Sequence, residues 1–213
     1  MDFDLFSQRI PKIKDLPLPG EMAHFKMAPE IRVKLMQESQ VKGKNPKKAG
    51  VMALFYPDFK NGTKLLLILR KTYKGVHSNQ IAFPGGKVED GDIDLAQTAL
   101  RETHEEVGVP PEKIMILKSL STVYIPPSNY EVQPFLGILD RPLSFVPQES
   151  EVESLIEVSL MDFLDDGLIF NQKLSTSYAT NIEVPTFKLN GYTVWGATAM
   201  MLSEIKELLK QVL

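Results

Sequence analysis

The sequence predicts an α/β layered domain. Apolar segments of strand length recur after residue 50, one amphipathic helical segment interrupts them near residues 95–107, and a second helical segment closes the chain at 197–213. Strands broken by one central helix and closed by another do not form a regular βαβ repeat, so helices layered on a sheet are expected.

Residues 1 to about 47 read as a helical extension packed on that domain. Phe3, Leu5, Phe6 and Ile10 offer one apolar face, and Ile31, Leu35 and Met36 another. Lys42 to Gly50, KGKNPKKAG, reads as a solvated connector, and its four lysines are assigned no site. Strands are expected at Val51 to Tyr56 and Lys64 to Arg70, with Asn61 and Gly62 turning the chain between them. Further strands are expected at Ile114 to Tyr124, Glu131 to Leu139, Ser154 to Leu160, Val184 to Leu189 and Tyr192 to Trp195. The last helix, Ala197 to Leu213, has Met201, Ile205, Leu208, Leu209 and Val212 at helical spacing.

The central helix carries two stripes. Leu95, Ala96, Ala99, Leu100, Thr103 and Val107 form an apolar one, while Glu102, Glu105 and Glu106 stand at i, i+3 and i+4 on another face. Asp94 and Gln97 can act as a capping pair, and Gly108 followed by Pro110 makes a sharp stop. The three carboxylates lie at the negative end of the helix dipole, where acids are disfavoured unless a cation answers them. On an arbitrary helix such a trio is most often a solvated face; the residues around it decide otherwise here.

Composition excludes several classes. A net charge of -3, from 24 basic and 27 acidic residues, creates no field that draws the protein to nucleic acid or an anionic membrane. The absence of cysteine excludes disulfides, thiolate metal sites and cysteine nucleophiles, and is compatible with a reducing compartment. The N-terminus has early acids and no apolar core of signal-peptide length, and runs such as Leu65 to Leu69 are too short to span a bilayer. A cytoplasmic protein is expected.

Phe83 to Val109, FPGGKVEDGDIDLAQTALRETHEEVGV, resembles the Nudix box, with Arg101, Glu102, Glu105, Glu106, Gly108 and Val109 in its second half and Thr103 at a position more often apolar. Asp92 stands where the general pattern has glutamate, one residue further from Arg101. Both departures are familiar in the branch that resembles coenzyme A pyrophosphatases. Arg70, His77, Gln80 and Phe83 to Gly86 match the signature that this branch places upstream, whereas Lys74, Gly75 and Asn79 depart from it. Ser128 to Phe135, SNYEVQPF, and Tyr192 to Ala199, YTVWGATA, extend the resemblance over most of the chain after residue 50.

The resemblance implies a Nudix-type α/β/α sandwich with a mixed β-sheet over residues 48–213. It also implies that Glu102, Glu105, Glu106 and the Gly85 carbonyl hold divalent metal. Hard oxygen donors without histidine or thiolate select Mg²⁺ or Mn²⁺ over zinc. Such a site suits attack by activated water on a diphosphate bond. Arg101 is expected to balance the charge of Glu102. The base is expected to be Glu102 or a later-loop glutamate, with Glu151 preferred over its neighbours Glu149 and Glu153. Gly85 and Gly86 are expected to make a tight loop beside the ligand, where a side chain would collide. Arg70, Lys71, His77 and Gln80 are the expected substrate-binding residues, with Lys74 and Lys87 as further cations near the box. His24 and His104 read as bystanders, and Trp195 as a core or dimer contact.

The expected activity is Mg²⁺-dependent cleavage of coenzyme A, or an acyl derivative, into 3′,5′-ADP and 4′-phosphopantetheine or its acylated form. The alternatives are a Nudix hydrolase acting on ADP-ribose, a nucleotide sugar or a nucleoside triphosphate, and a catalytically silent Nudix module that senses a ligand. Intact Glu102, Glu105 and Glu106 argue against the silent module. The expected partner is a small diphosphate compound, with neither nucleic acid nor membrane, and a homodimer is compatible with the resemblance.

Overall fold

The computed structural model describes residues 1–38, 45–72, 79–175 and 179–213, with side chains 35–38 left out. Leu35, Met36, part of the lysine connector, Lys74, Gly75 and His77 therefore lie outside the described residues and side chains. The layering follows from strand β1 (Lys47–Pro57), whose apolar run is buried on both faces. Met52, Leu54 and Tyr56 enter one core cluster, while Ala49, Ala53 and Phe55 enter another. Strand β2 (Thr63–Arg70) divides likewise, with Leu66 and Ile68 on the first side and Leu65 and Leu67 on the second. Along these central residues neither face meets water, so the usual alternation of apolar with polar residues is missing.

The first cluster is covered by the helix bearing the acidic trio, α4 (Leu95–Val107), through Ala99 and Val107. The second is covered by the closing helix (Gly196–Val212), through Met200, Leu202 and Ile205, and by α1 (Phe3–Arg9), through Phe3 and Phe6. These layers make the expected α/β/α sandwich. At about 25 cal/mol per Å² of apolar surface, each fully buried Phe or Leu contributes roughly 2 kcal/mol. The N-terminal segment is thus part of the same core. Leu5 departs from its expected face and is 41% exposed.

The main sheet is mixed. β1 runs parallel to β7 (Tyr130–Ile138), with Ala53 opposite Leu136. The other pairings are antiparallel: β2 with β1, β3 (Ile81–Ala82) and β8 (Val152–Ser159) with β2, β4 (Gly85–Lys87) with β1, and β5 (Met115–Ser119) and β6 (Val123–Ile125) with β7. A smaller antiparallel sheet consists of β9 (Ile169–Leu174), β10 (Ile182–Leu189) and β11 (Tyr192–Val194).

Two expected strands are corrected by long-range or capping contacts. The span from Ile114 to Tyr124 divides into β5 and β6, because the Ser121 N–H and hydroxyl both donate to Glu204 on the closing helix, at 3.1 and 2.6 Å. Leu160 leaves the strand and opens a short helix, α5 (Leu160–Leu164), capped by the Ser159 hydroxyl, which accepts from the Asp162 N–H at 3.0 Å. The remaining helices are α2 (Glu21–Phe25), α3 (Glu30–Glu38) and the closing α6 (Gly196–Val212). Among the described residues no helix is long and apolar enough to cross a membrane.

Candidate active site

Helix α4 begins as its sequence dictates. Asp94 accepts from the Gln97 N–H at 2.8 Å, and Gln97 accepts in return from the Ile93 N–H at 2.6 Å. The helix ends at Gly108, in the left-handed conformation with φ 74°. The fixed ends set the rotation of the helix. Ala99 and Val107 face the sheet, and Glu102 and Glu106 face the β4 loop.

Glu106 is 1% exposed, and its carboxylate accepts from the Gly85 N–H at 2.8 Å and from Arg70 Nη1 at 3.0 Å. Glu102 is 9% exposed and lies against Gly86, where a Cβ would stand 2.4 Å from the carboxylate. Gly85 has a different duty from the expected clearance of a ligand. Its φ is +149°, and a Cβ there would lie 2.4 Å from the Gly50 carbonyl and 2.6 Å from Val51 Cα. Gly85 therefore permits β4 to pair with β1, and Gly86 is the residue that clears the carboxylate.

Arg101 organises the rim. Its Nε and Nη2 donate to the two oxygens of Asp92, each at 3.0 Å. Nη1 donates to Glu102 at 3.1 Å and Glu105 at 3.3 Å, while Nη2 also reaches the Lys87 carbonyl at 3.0 Å. The bidentate pair holds the Asp92 carboxyl well below the usual carboxylate range and raises the guanidinium further. Asp92 also accepts from Thr98 Oγ1 at 2.9 Å and the Glu89 N–H at 3.0 Å, which anchors the longer loop to the helix. A shorter acid one residue further from Arg101 thus still meets it.

These groups border a cavity of about 670 Å³, lined by Gly85, Gly86, Glu102, Glu105 and Glu151, together with Arg70 and Gln80. Glu106 lies just behind that lining. The β2–β8 register, with Arg70 opposite Val152 and an irregularity after Leu69, brings Glu151 to the cavity. Glu153 instead lies 3.6 Å from Lys71 Nζ in an exposed pair, and Glu149 is not among the lining residues. Lys71, expected to bind substrate, is also outside the lining, with its Nζ in that exposed pair. Lys87 lines the cavity and pairs with Glu89 at 3.3 Å. His77 is outside the described residues.

Burial pushes the Glu106 carboxyl up to about 7 despite Arg70 and the Gly85 N–H, and the charges of Glu102 and Glu151 add to the rise. Burial also raises Glu102, opposed by Arg101 and reinforced by Glu105 and Glu151. Among the described residues no three carboxylate or imidazole side chains stand close enough to close on one ion as placed. The donor chemistry nevertheless fits a hard divalent cation. Buried oxygens share negative charge that the arginines leave incompletely answered, and they border an open cavity.

The same charge predicts how cation-free stability depends on pH. Glu106 has a folded pKa of about 7 against 4.5 for the free side chain, so its protonated form favours the folded state. That contribution is complete below about pH 4.5 and lost as pH rises through about 7, a change of about 3 kcal/mol. Thermal melts in EDTA should show a lower melting temperature at pH 8 than at pH 5. A higher one at pH 8 would refute this account.

The other wall of the cavity comes from outside the acidic helix and its loop. Arg32 from α3 and Trp195 at the N-cap of α6 both line it, and Trp195, expected as a core or dimer contact, borders the cavity. Arg32 carries no local signal, whereas Trp195 lies in a stretch already matched to a motif.

The profile of the NUDIX domain family matches residues 46–173. A NudL protein of Enterobacter sp. (strain 638), named an uncharacterized Nudix hydrolase, is 34% identical over 148 residues, covering 66% of this chain and 72% of that protein. The peroxisomal coenzyme A diphosphatase ndx-8 of Caenorhabditis elegans is 29% identical over 168 residues, covering 78% of this chain and 70% of that protein. Among solved structures, the Nudix hydrolase RenU of M. smegmatis superposes with a TM-score of 0.51 at 16% identity, over 79% of this chain and 88% of that one, a likeness of fold.

Proposed function

The chain belongs to the Nudix hydrolase family, and from that premise we propose that it cleaves the diphosphate bond of coenzyme A or an acyl-coenzyme A. The products are 3′,5′-ADP and 4′-phosphopantetheine or its acylated form. The observation that carries the chemistry is the pair of buried carboxylates, Glu102 and Glu106, beside a cavity large enough for a nucleotide derivative. The choice of substrate is supported by the upstream signature Arg70, Gln80 and Phe83 to Gly86, and by likeness to the nematode coenzyme A diphosphatase.

Glu102, Glu105 and Glu106, with the Gly85 carbonyl, would hold Mg²⁺ or Mn²⁺. When bound, the cation supplies positive charge to the phosphoryl oxygens and acidifies water. Arg101 holds Glu102 and Glu105 against the Asp92 loop, so their oxygens are positioned before substrate arrives. Arg70 orients Glu106. Glu151 removes the proton from the attacking water, whose oxygen bonds to phosphorus as the bridging P–O bond breaks and the leaving phosphate departs with the bridging oxygen. Gln80 offers the cavity a neutral hydrogen-bonding group for substrate.

The test is incubation with Mg²⁺ or Mn²⁺ and a panel containing coenzyme A, acetyl-coenzyme A and ADP-ribose, with products identified by mass. Cleavage of coenzyme A to the two named products is expected. Glu151→Gln should lower kcat about 100-fold with little change in KM. Intact coenzyme A alongside cleaved ADP-ribose would overturn the substrate, and undiminished turnover by the variant would overturn the base.

A further inference from the structure

The cavity changes character along its length. Glu102, Glu105 and Glu151 border one part of it, whereas Ala49, Val51, Ile125, Tyr130 and Val132 form an apolar floor. Strand register builds that floor. Lys87 on β4 stands opposite Ala49 on β1, Ala49 opposite Val132 on β7, and Tyr130 on β7 opposite Ile125 on β6. Residues two apart along a strand share a face, so all five side chains lie on the sheet face that α6 covers. Three strand spacings carry the floor roughly 14 Å from β4 to β6, long enough for a nucleoside whose phosphate stays beside the glutamates.

The start of α6 stands over this floor and lies outside the residues matched by the family profile. The Thr198 hydroxyl donates to the Ile81 carbonyl at 3.0 Å, which fixes the helix start against β3. Trp195, Ala197 and Met201 line the cavity from there, and Trp195 is half-buried. Phe55, Phe163 and Phe187 pack ring against ring in the core, but among the described residues Trp195 joins no such ring pair. Its indole is a flat aromatic surface bordering open space. Opposite an apolar sheet face, such a surface suits a planar group better than a flexible chain, because stacking requires overlap of flat faces and every nucleobase offers one.

We propose that Trp195 is a specificity residue whose indole stacks on the nucleobase of the substrate, with the base lying over the apolar floor. This rests on the reading of the cavity as the site of a nucleotide diphosphate; on the coenzyme A reading the base is adenine. The start of α6 then contributes to substrate choice as well as to the core.

Trp195 is the single tryptophan of the chain, so its emission reports on this wall alone. Excited at wavelengths where adenine does not absorb, the unaltered protein should lose emission saturably as 5′-AMP is added, because a stacked base quenches indole. Ribose 5-phosphate, which keeps the sugar and phosphate but lacks the base, should leave the emission unchanged, as should 4′-phosphopantetheine. Unchanged emission with 5′-AMP, or quenching by 4′-phosphopantetheine instead, would overturn the proposal.

Kinetics supply a second measurement. Trp195→Ala should weaken KM for coenzyme A and inhibition by 5′-AMP about tenfold, while kcat and inhibition by ribose 5-phosphate stay within about twofold. Trp195→Phe should retain most of the affinity. Equal weakening of 5′-AMP and ribose 5-phosphate would make Trp195 a structural residue and overturn its assignment. If coenzyme A is not cleaved, the coenzyme A reading fails alone, since the 5′-AMP titration needs no turnover and still decides the role of Trp195.

Discussion

Glu106→Gln should lower kcat/KM at limiting divalent cation by about 1000-fold while leaving the cation-free protein at least as stable at pH 8. The substitution keeps the side chain's size. It removes an anionic donor to the cation and replaces one acceptor oxygen with an amide that cannot accept from both Gly85 and Arg70. Losing one such hydrogen bond costs about 1 kcal/mol. Removing a carboxylate whose pKa burial has pushed up to about 7 returns at least as much at pH 8. Melting in EDTA and turnover across a cation titration would separate these effects. Activity within tenfold of wild type at limiting cation would remove Glu106 from the metal site, and a large fall in melting temperature would make its role structural.

The two adjacent glycines should respond in opposite ways. At Gly86 an added methyl meets the Glu102 carboxylate, the far end of a flexible side chain, at 2.4 Å. Gly86→Ala should fold, move that carboxylate away from Arg101, and lose about 100-fold in turnover with a small change in melting temperature. At Gly85 the methyl meets the backbone of β1, and φ is +149°, which L side chains rarely adopt. Gly85→Ala should therefore cost more than about 3 kcal/mol and lower the melting temperature by roughly 10 °C, or prevent soluble expression. Melts and kinetics of both variants check this. Normal turnover by Gly86→Ala, or a stable Gly85→Ala, would overturn the corresponding role.

Much of the layered fold is legible locally. The helix over residues 95–107, its Asp94 cap and its Gly108 stop follow from 3.6-residue periodicity and end chemistry, both carried by neighbours in the chain. The long strands are legible for a similar reason, because residues buried on two faces form nearly continuous apolar runs. β3 and β4, with two and three residues, are too short to show a period, and the chain's own pattern did not reveal β9. The division into β5 and β6 depends on Glu204, 83 positions away from Ser121.

Which carboxylates share one helical face is fixed locally, since a spacing of three and four residues sets direction once a helix forms. What surrounds them depends on the folded chain. Arg70 meets Glu106 across 36 positions, the β2–β8 register selects Glu151 over Glu149 and Glu153 for the cavity, and Arg32 reaches the wall near Gly196. These neighbours are set by strand register and by packing between layers. Such long-range contacts leave no periodic trace in the residues on either side of them.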